Sequence, residues 1–200
     1  MNHIQTTYTQ QPKMNTLPLE IQQKIIKHLF CKKELRLVCR IWNQLVIPLI
    51  TAIRLNSNVQ AETVFNTFAH VTDLDCGFNT SDISRLTQLT TLHCYKNTSD
   101  ISDLTQLTIL HCYKNTSDIS NLIQLTTLWC YKNTSDISGL TQLTKLYCGR
   151  NTSDISNLTQ LTTLYCSDNA SDISGLTSLK ILVRGKNTTD MSHIPNLYIY

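Results

Sequence analysis

Eight cysteines and six histidines in a chain of 200 residues are enough for zinc sites, a disulfide framework or a Cys–His nucleophile, so their spacing decides which chemistry is open. No CxxC pair occurs. Six of the thiols, Cys76, Cys94, Cys112, Cys130, Cys148 and Cys166, recur at a fixed interval, one per repeat. His93 and His111 each precede a cysteine, and neighbours in an extended strand point to opposite faces. The thiols are therefore expected to pack as small hydrophobes, reduced as in an intracellular compartment, with the imidazoles turned away from them. An aspartate column, Asp82, Asp100, Asp118, Asp136, Asp154, Asp172 and Asp190, keeps the same period. Like charges on adjacent coils repel by roughly 1 kcal/mol per contact, and capping the free N–H groups of a short turn returns about as much. Capping thus explains the column without calcium. With no phosphate loop, metal cluster or nucleophile beside a base, the chain is expected to be no enzyme and to need no cofactor.

The interval comes from a unit that reads LTTLHCYKNTSDISDLTQ from Leu89 to Gln106 and restarts at Leu107, Leu125, Leu143 and Leu161. Apolar residues fall at unit positions 1, 4, 6, 13 and 16, so every coil points the same side chains inward. A hexapeptide β-helix needs an apolar residue every six positions, which this pattern lacks. A calcium-binding β-roll needs a GGxGxD turn, and the whole chain has five glycines. Leu92-His93-Cys94 alternates in, out, in, as a strand does, and Asn97 ends it. The unit resembles the leucine-rich repeat, whose LxxLxLxxN signature stands here with Cys for the third Leu. The resemblance covers residues 71–187, and Ile50 to Asn58 fits the frame as a divergent first coil. It implies a parallel β-sheet on the concave face. Eighteen residues leave room for a short turn or 3₁₀ segment, not a full α-helix, on the convex side.

Asn79, Asn97, Asn115, Asn133, Asn151, Asn169 and Asn187 form a further column. Each begins an N-x-[ST] match, yet the first thirty residues lack the apolar core of a signal peptide. The expected role is structural, the amide bonding to the loop backbone of its own and adjacent coils.

Residues 1–13 are polar and rich in Thr and Gln, and are expected to be disordered. Over 14–48 the pattern turns helical: Leu17, Ile21, Ile25 and Leu29 form one stripe, and Leu35, Val38, Cys39, Trp42, Leu45 and Val46 a second that ends before Pro48. So short a segment buries too little apolar surface to stand alone, so it is expected to pack on the first coil as part of its support, with an external partner to supply the rest. Leu17-Pro18-Leu19-Glu20-Ile21, followed by Leu35-Arg36-Leu37-Val38-Cys39-Arg40-Ile41-Trp42-Asn43, resembles the F-box pattern LPxEI…LRxVC(K/R)xW. The two resemblances together imply an α+β solenoid, with a small helical F-box at 14–48 packed on a leucine-rich-repeat array at 49–200. They also imply that Leu17, Pro18, Ile21, Leu37 and Val38 dock on a Skp-type adaptor while Trp42 anchors the helices internally. F-box proteins with such simple arrays resemble those of amoebae and of the giant viruses that infect them.

On the concave face, position 5 reads Asp75, His93, His111, Trp129, Tyr147, Tyr165 and Val183, and position 7 adds Tyr95, Tyr113 and Tyr131. Position 8 reads Phe78, Lys96, Lys114, Lys132, Arg150, Asp168 and Lys186. At about 4.8 Å per strand, the result is an aromatic strip roughly 30 Å long with a basic border. The expected target-binding residues are His93, Tyr95, His111, Tyr113, Lys114, Trp129, Tyr131, Lys132, Tyr147, Arg150 and Tyr165, facing an acidic or phosphorylated protein segment. A formal net charge of +3 and the absence of a nucleic-acid-binding motif argue against nucleic acid, and no membrane partner is expected. By resemblance, the chain is the substrate-recognition subunit of a cullin-type ubiquitin ligase, in the cytoplasm or nucleus, or in the host cytoplasm if viral. The alternative is a free-standing leucine-rich-repeat interaction scaffold whose helices only cap the array.

Overall fold

Each eighteen-residue unit closes one coil, and its Leu-x-Cys stretch becomes the strand that pairs with the next coil. The computed structural model describes residues 51–55, 69–80, 82–113, 116–149, 153–167, 171–184, 192 and 198–199, all in the unit Thr51–Tyr200. The tail, the expected helices over 14–48 and the adaptor residues Leu17, Pro18, Ile21, Leu37 and Val38 lie outside them, as do Lys114 and Arg150.

The described strands are β1 (Ala52–Arg54), β2 (Asp73–Gly77), β3 (Thr91–Cys94), β4 (Ile109–Cys112), β5 (Thr127–Tyr131), β6 (Lys145–Gly149), β7 (Thr163–Cys166), β8 (Ile181–Arg184) and β9 (Tyr198–Ile199). They form one sheet in sequence order, and each pairs in parallel with the next. Leu92, Leu110, Leu128, Leu146 and Leu164 stand in line across it. The divergent first coil holds its frame, since Ile53 pairs with Leu74 and Leu55 is buried at the position cysteine takes elsewhere.

Alternation places the leucine and cysteine of each strand inside, as in the buried–exposed pattern of Thr91–Cys94. The far side of the coil carries its apolar residues three apart, which suits turns closed by i→i+3 bonds better than an α-helix. In one coil Leu104 N–H donates to the Ile101 carbonyl at 3.1 Å and Leu107 N–H to that of Leu104 at 3.0 Å. The same pair of turns recurs in every later described coil through Leu179. No helix occurs among the described residues. Leu107, Leu110, Ile119 and Leu122 are fully buried and Cys112 nearly so, the same five positions the sequence pattern points inward.

Polar columns lock one coil to the next. The Asn97 amide donates to the Asn79 carbonyl of the preceding coil at 3.0 Å, while its oxygen accepts from Ser99 N–H at 2.8 Å. Asn133 does the same with Ser117 and Ser135. Asn79, Asn97 and Asn133 are about 1% exposed, which removes them as glycan acceptors in the folded coil. Serine hydroxyls add a second column: Ser117 Oγ donates to the Ser99 carbonyl and accepts from Ile101 N–H. Threonine hydroxyls make a third, Thr108 Oγ1 donating to the Thr90 carbonyl at 3.1 Å. No buried side-chain nitrogen or oxygen among the described residues lacks a hydrogen-bond partner.

Candidate functional site

Parallel, in-register pairing puts the same unit position of successive coils side by side, so one outward column becomes a ladder. At position 5, His93, His111, Trp129, Tyr147 and Tyr165 are direct neighbours. Their ring centroids are 4.4, 5.4, 4.7 and 4.7 Å apart in that order. The imidazoles meet edge-on, and from Trp129 onward the rings stack within 24° of parallel. A second ladder runs alongside: Phe78, Tyr95, Tyr113 and Tyr131, at 4.9, 4.7 and 5.0 Å. Two hollows lie between the ladders and meet at Trp129, one of about 650 Å³ that reaches back to Asp75 and Phe78, and one of about 430 Å³ that runs on to Tyr165 and Val183.

The stacking decides what this face can recognise. From Tyr95 to Tyr131 and from Trp129 to Tyr165 each ring face is covered by the next ring, so these runs offer edges, which carry the positive end of the aromatic quadrupole, and phenol hydroxyls. Such a surface suits carbonyl and carboxylate oxygens and ring faces brought by a partner. It does not suit a run of nucleic-acid bases, each of which needs an open face to stack on. Two cations stand beside the second ladder. The Lys96 ammonium lies 5.2 Å from the Phe78 centroid and that of Lys132 lies 5.7 Å from the Tyr131 centroid. At the start of the sheet Arg54 and Asp75 form an ion pair at 2.6 Å.

The cysteine column is held in its protonated form. Burial pushes the Cys130 thiol up to about 12, and burial likewise raises Cys112 and Cys148. Cys94 is raised first by its hydrogen bond with Cys76 and then by burial. Buried thiols held protonated are poor nucleophiles. The six of them are unpaired by disulfides, and they lie on the side of the strand opposite His93 and His111. Partial burial, with His93 alongside, lowers the His111 pKa. Among the described residues no three His, Cys, Asp or Glu side chains gather to hold a metal ion, and no helix is long and apolar enough to cross a membrane.

Of the residues expected to bind a target, the structure brings His93, Tyr95, His111, Tyr113, Trp129, Tyr131, Lys132, Tyr147 and Tyr165 onto this one face. Trp129 is 52% exposed and Tyr95 45%. Phe78 belongs with them as the first rung of the second ladder and is 59% exposed. The sequence reading placed Phe78 in the basic border. Its type, the one aromatic in that column, was the available signal. Gly149 and Ser167 also shape the face, and only the ring geometry reveals it.

No family model matches the chain, and no curated protein matches it. Solved structures do. The functional domain of InlJ from Listeria monocytogenes, which includes a cysteine ladder, is 29% identical over 66% of this chain, with a TM-score of 0.53. Internalin C2 from Listeria monocytogenes is 22% identical over 77% of this chain and 81% of its own, with a TM-score of 0.57. A leucine-rich-repeat protein from Leptospira interrogans is 20% identical over 68% of this chain, with a TM-score of 0.52. This chain spans 34% of the InlJ domain and 44% of the Leptospira protein. The described residues thus have the fold of leucine-rich-repeat proteins, a parallel β-solenoid of short coils.

Proposed function

We propose that this protein is an interaction module that holds a protein partner on the aromatic face of its sheet. The observation that carries the reading is that the two ladders are continuous on the surface of the sheet, while β8 pairs in register with Val183 in place of an aromatic. The same register holds where position 5 is Val183 as where it is Trp129, whereas just past Asp75 it shifts by one residue at Gly77. Aromatic residues left half exposed are the types that dominate interface energy. The leucine-rich-repeat fold of the neighbours supports a binding role, and no described group offers bond chemistry. The test is capture of a partner by the full chain and by Trp129→Ala. Loss of a central anchor should weaken binding roughly thirtyfold or more. Lys132→Ala should have a modest effect that fades with salt. A partner indifferent to Trp129→Ala but lost on altering the turn side would place the site elsewhere.

A more specific reading adds a ligase to this scaffold. The sequence Leu17-Pro18-Leu19-Glu20-Ile21, with Leu35 to Asn43 after it, favours an F-box that docks a Skp-type adaptor through Leu17, Pro18, Ile21, Leu37 and Val38. The repeats would then present their partner to a cullin-type ubiquitin ligase in the cytoplasm or nucleus. Wild-type protein should pull down adaptor and cullin from a eukaryotic lysate, and Leu17→Ala with Pro18→Ala should abolish this. Folded wild-type protein that recovers no adaptor removes the ligase and leaves the scaffold.

A further inference from the structure

The two ladders end at different coils. The first runs on to Tyr165, whereas the second stops at Tyr131, because the next residues in its column are Gly149 and Ser167. Gly149 is not there to turn the backbone, since the described positive-φ residues are Gly77 and Lys132 alone. Its role is space. A Cβ at Gly149 would lie 2.6 Å from Tyr131 Cδ2 and 2.8 Å from Cε2, so the Tyr131 ring rests where any larger residue would put a side chain. The ring thereby leans one coil forward, toward Ser167, whose hydroxyl lies 3.6 Å from that same Cβ point. Beyond it, among the described residues, the column holds the exposed Ser167, while Tyr147 and Tyr165 of the first ladder continue alongside. The result is a corner: a tyrosine ring as end wall, two more as side wall, and Ser167 as floor, within the hollow of about 430 Å³.

We propose that this corner is a socket for one aromatic side chain of the partner protein, carried beside an acidic residue on an extended segment. The guest ring supplies the rung that the second ladder lacks, stacking on Tyr131 over Ser167 with its edge toward Tyr165. The acidic neighbour is called for by Lys132, whose ammonium stands at the same rung. Lys132 holds φ at 62°, a conformation uncommon for a residue with a side chain, and its ammonium lies over the Tyr131 ring, 5.7 Å from the centroid, beside the end wall of the socket. From Tyr95 to Tyr131 and from Trp129 to Tyr165 the rings cover one another, so a single guest ring fits at the end of the stack where a run of bases does not. This socket rests on the reading of the face as a protein-binding surface and says what that surface selects.

The test uses the full chain and a displayed library of random linear peptides, with Ser167→Tyr as the blocking variant. Tyrosine already occupies that column at Tyr95, Tyr113 and Tyr131, so the coil accepts it, and the new ring would fill the socket from within. Selected peptides should share an aromatic residue with Asp or Glu close by. They should bind Ser167→Tyr at least about tenfold more weakly than wild type and Ser167→Thr as wild type, with unchanged melting of both variants. Gly149→Ala should displace the Tyr131 ring and weaken the same peptides. Selected peptides without an aromatic residue, or equal binding to Ser167→Tyr, overturn the socket. If those peptides are still lost with Trp129→Ala, only the socket fails and the face keeps its role. Peptides indifferent to both variants sink both, and so does a library that yields no binder. A single-stranded oligonucleotide that binds wild type and is displaced by Ser167→Tyr would assign the corner to a base and overturn the protein assignment.

Discussion

On the turn side of the solenoid every described unit repeats Asp-Ile-Ser, whereas the exposed side of the sheet passes from aspartate through histidine and tryptophan to tyrosine and valine. The hydrogen bonds follow the same division. Ser84, Ser102, Ser120, Ser138, Ser156 and Ser174 each donate a backbone N–H to the aspartate two residues earlier, at 2.9 to 3.0 Å. These bonds close each turn within its own coil, and the serines just before the aspartates link the coil to its neighbours, so a change in that serine column breaks contacts between coils. The sheet face is free of that constraint, because its coil-to-coil bonds run through the backbone. What repeats on this molecule serves the stack, and what varies is available to a partner.

Leu128 and Trp129 are adjacent and point to opposite sides of β5, which makes them the strongest pair for breaking that division. Leu128 is fully buried and Trp129 half exposed. Leu128→Ala should destabilise the array by about 2–5 kcal/mol through lost burial and a residual cavity. Trp129→Ala should remove about 1 kcal/mol of ring stacking while taking most of the partner binding. Urea unfolding of both variants, read by circular dichroism, gives the comparison. Equal destabilisation would mean that the aromatic ladders hold the coil together as much as the core does.

The cysteine column tests the buried side by itself. Cys112→Ser places a hydroxyl among apolar neighbours and should cost roughly 1–3 kcal/mol. In wild-type protein Cys76, Cys94, Cys112, Cys130, Cys148 and Cys166 should resist alkylation until the chain is denatured. Folding raises the thiol pKa values above the unfolded value of 9.0. The sign follows directly: above pH 9 the unfolded state sheds protons that the folded state keeps, so stability is full below that pH and falls as it rises. A denaturation midpoint that stays level from pH 8 to 11 would show that the thiols reach solvent.

The frame of the solenoid was legible in the sequence because each inward position repeats one residue type: the leucine, cysteine and isoleucine of Leu92, Cys94 and Ile101 recur in the six units from Val71 to Ser178, and period alone separates inside from outside. The Asn97 bonds were legible for the same reason, a polar residue fixed where the chain must turn inward. The serine and threonine columns were not, since Ser117 reaching back to Ser99 looks in sequence like any loop serine. The ladder of position 5 could be written down from alternation, but its ring angles could not. They depend on how far each side chain leans along the axis. Gly149 shows the limit most clearly: its letter alone gives no reason for a glycine at the end of β6, and its purpose appears only once the Tyr131 ring is seen resting on it. The segment 14–48 is a different case, since its reading rests on the motif itself.

The smallest effect belongs to the aspartate column. Asp118 is held below the usual carboxylate range by the Ser120 backbone N–H, assisted by the Ser120 side chain, while Asp100 and Asp136 on the adjoining coils oppose this. A depressed pKa stabilises the fold above the unfolded value of 3.8, and that stability is lost as pH falls through and below it. Asn at this position keeps a carbonyl oxygen to accept from Ser120 and drops the charge. Asp118→Asn should therefore leave stability nearly unchanged at pH 7 and flatten its decline between pH 5 and 2, whereas Asp118→Ala should lose the turn bond at every pH. If Asn proved as harmful as Ala at neutral pH, the charge itself would be in use. The carboxylate's charge would then strengthen the bond from Ser120 N–H itself, and the turn would depend on a group that acid can neutralise.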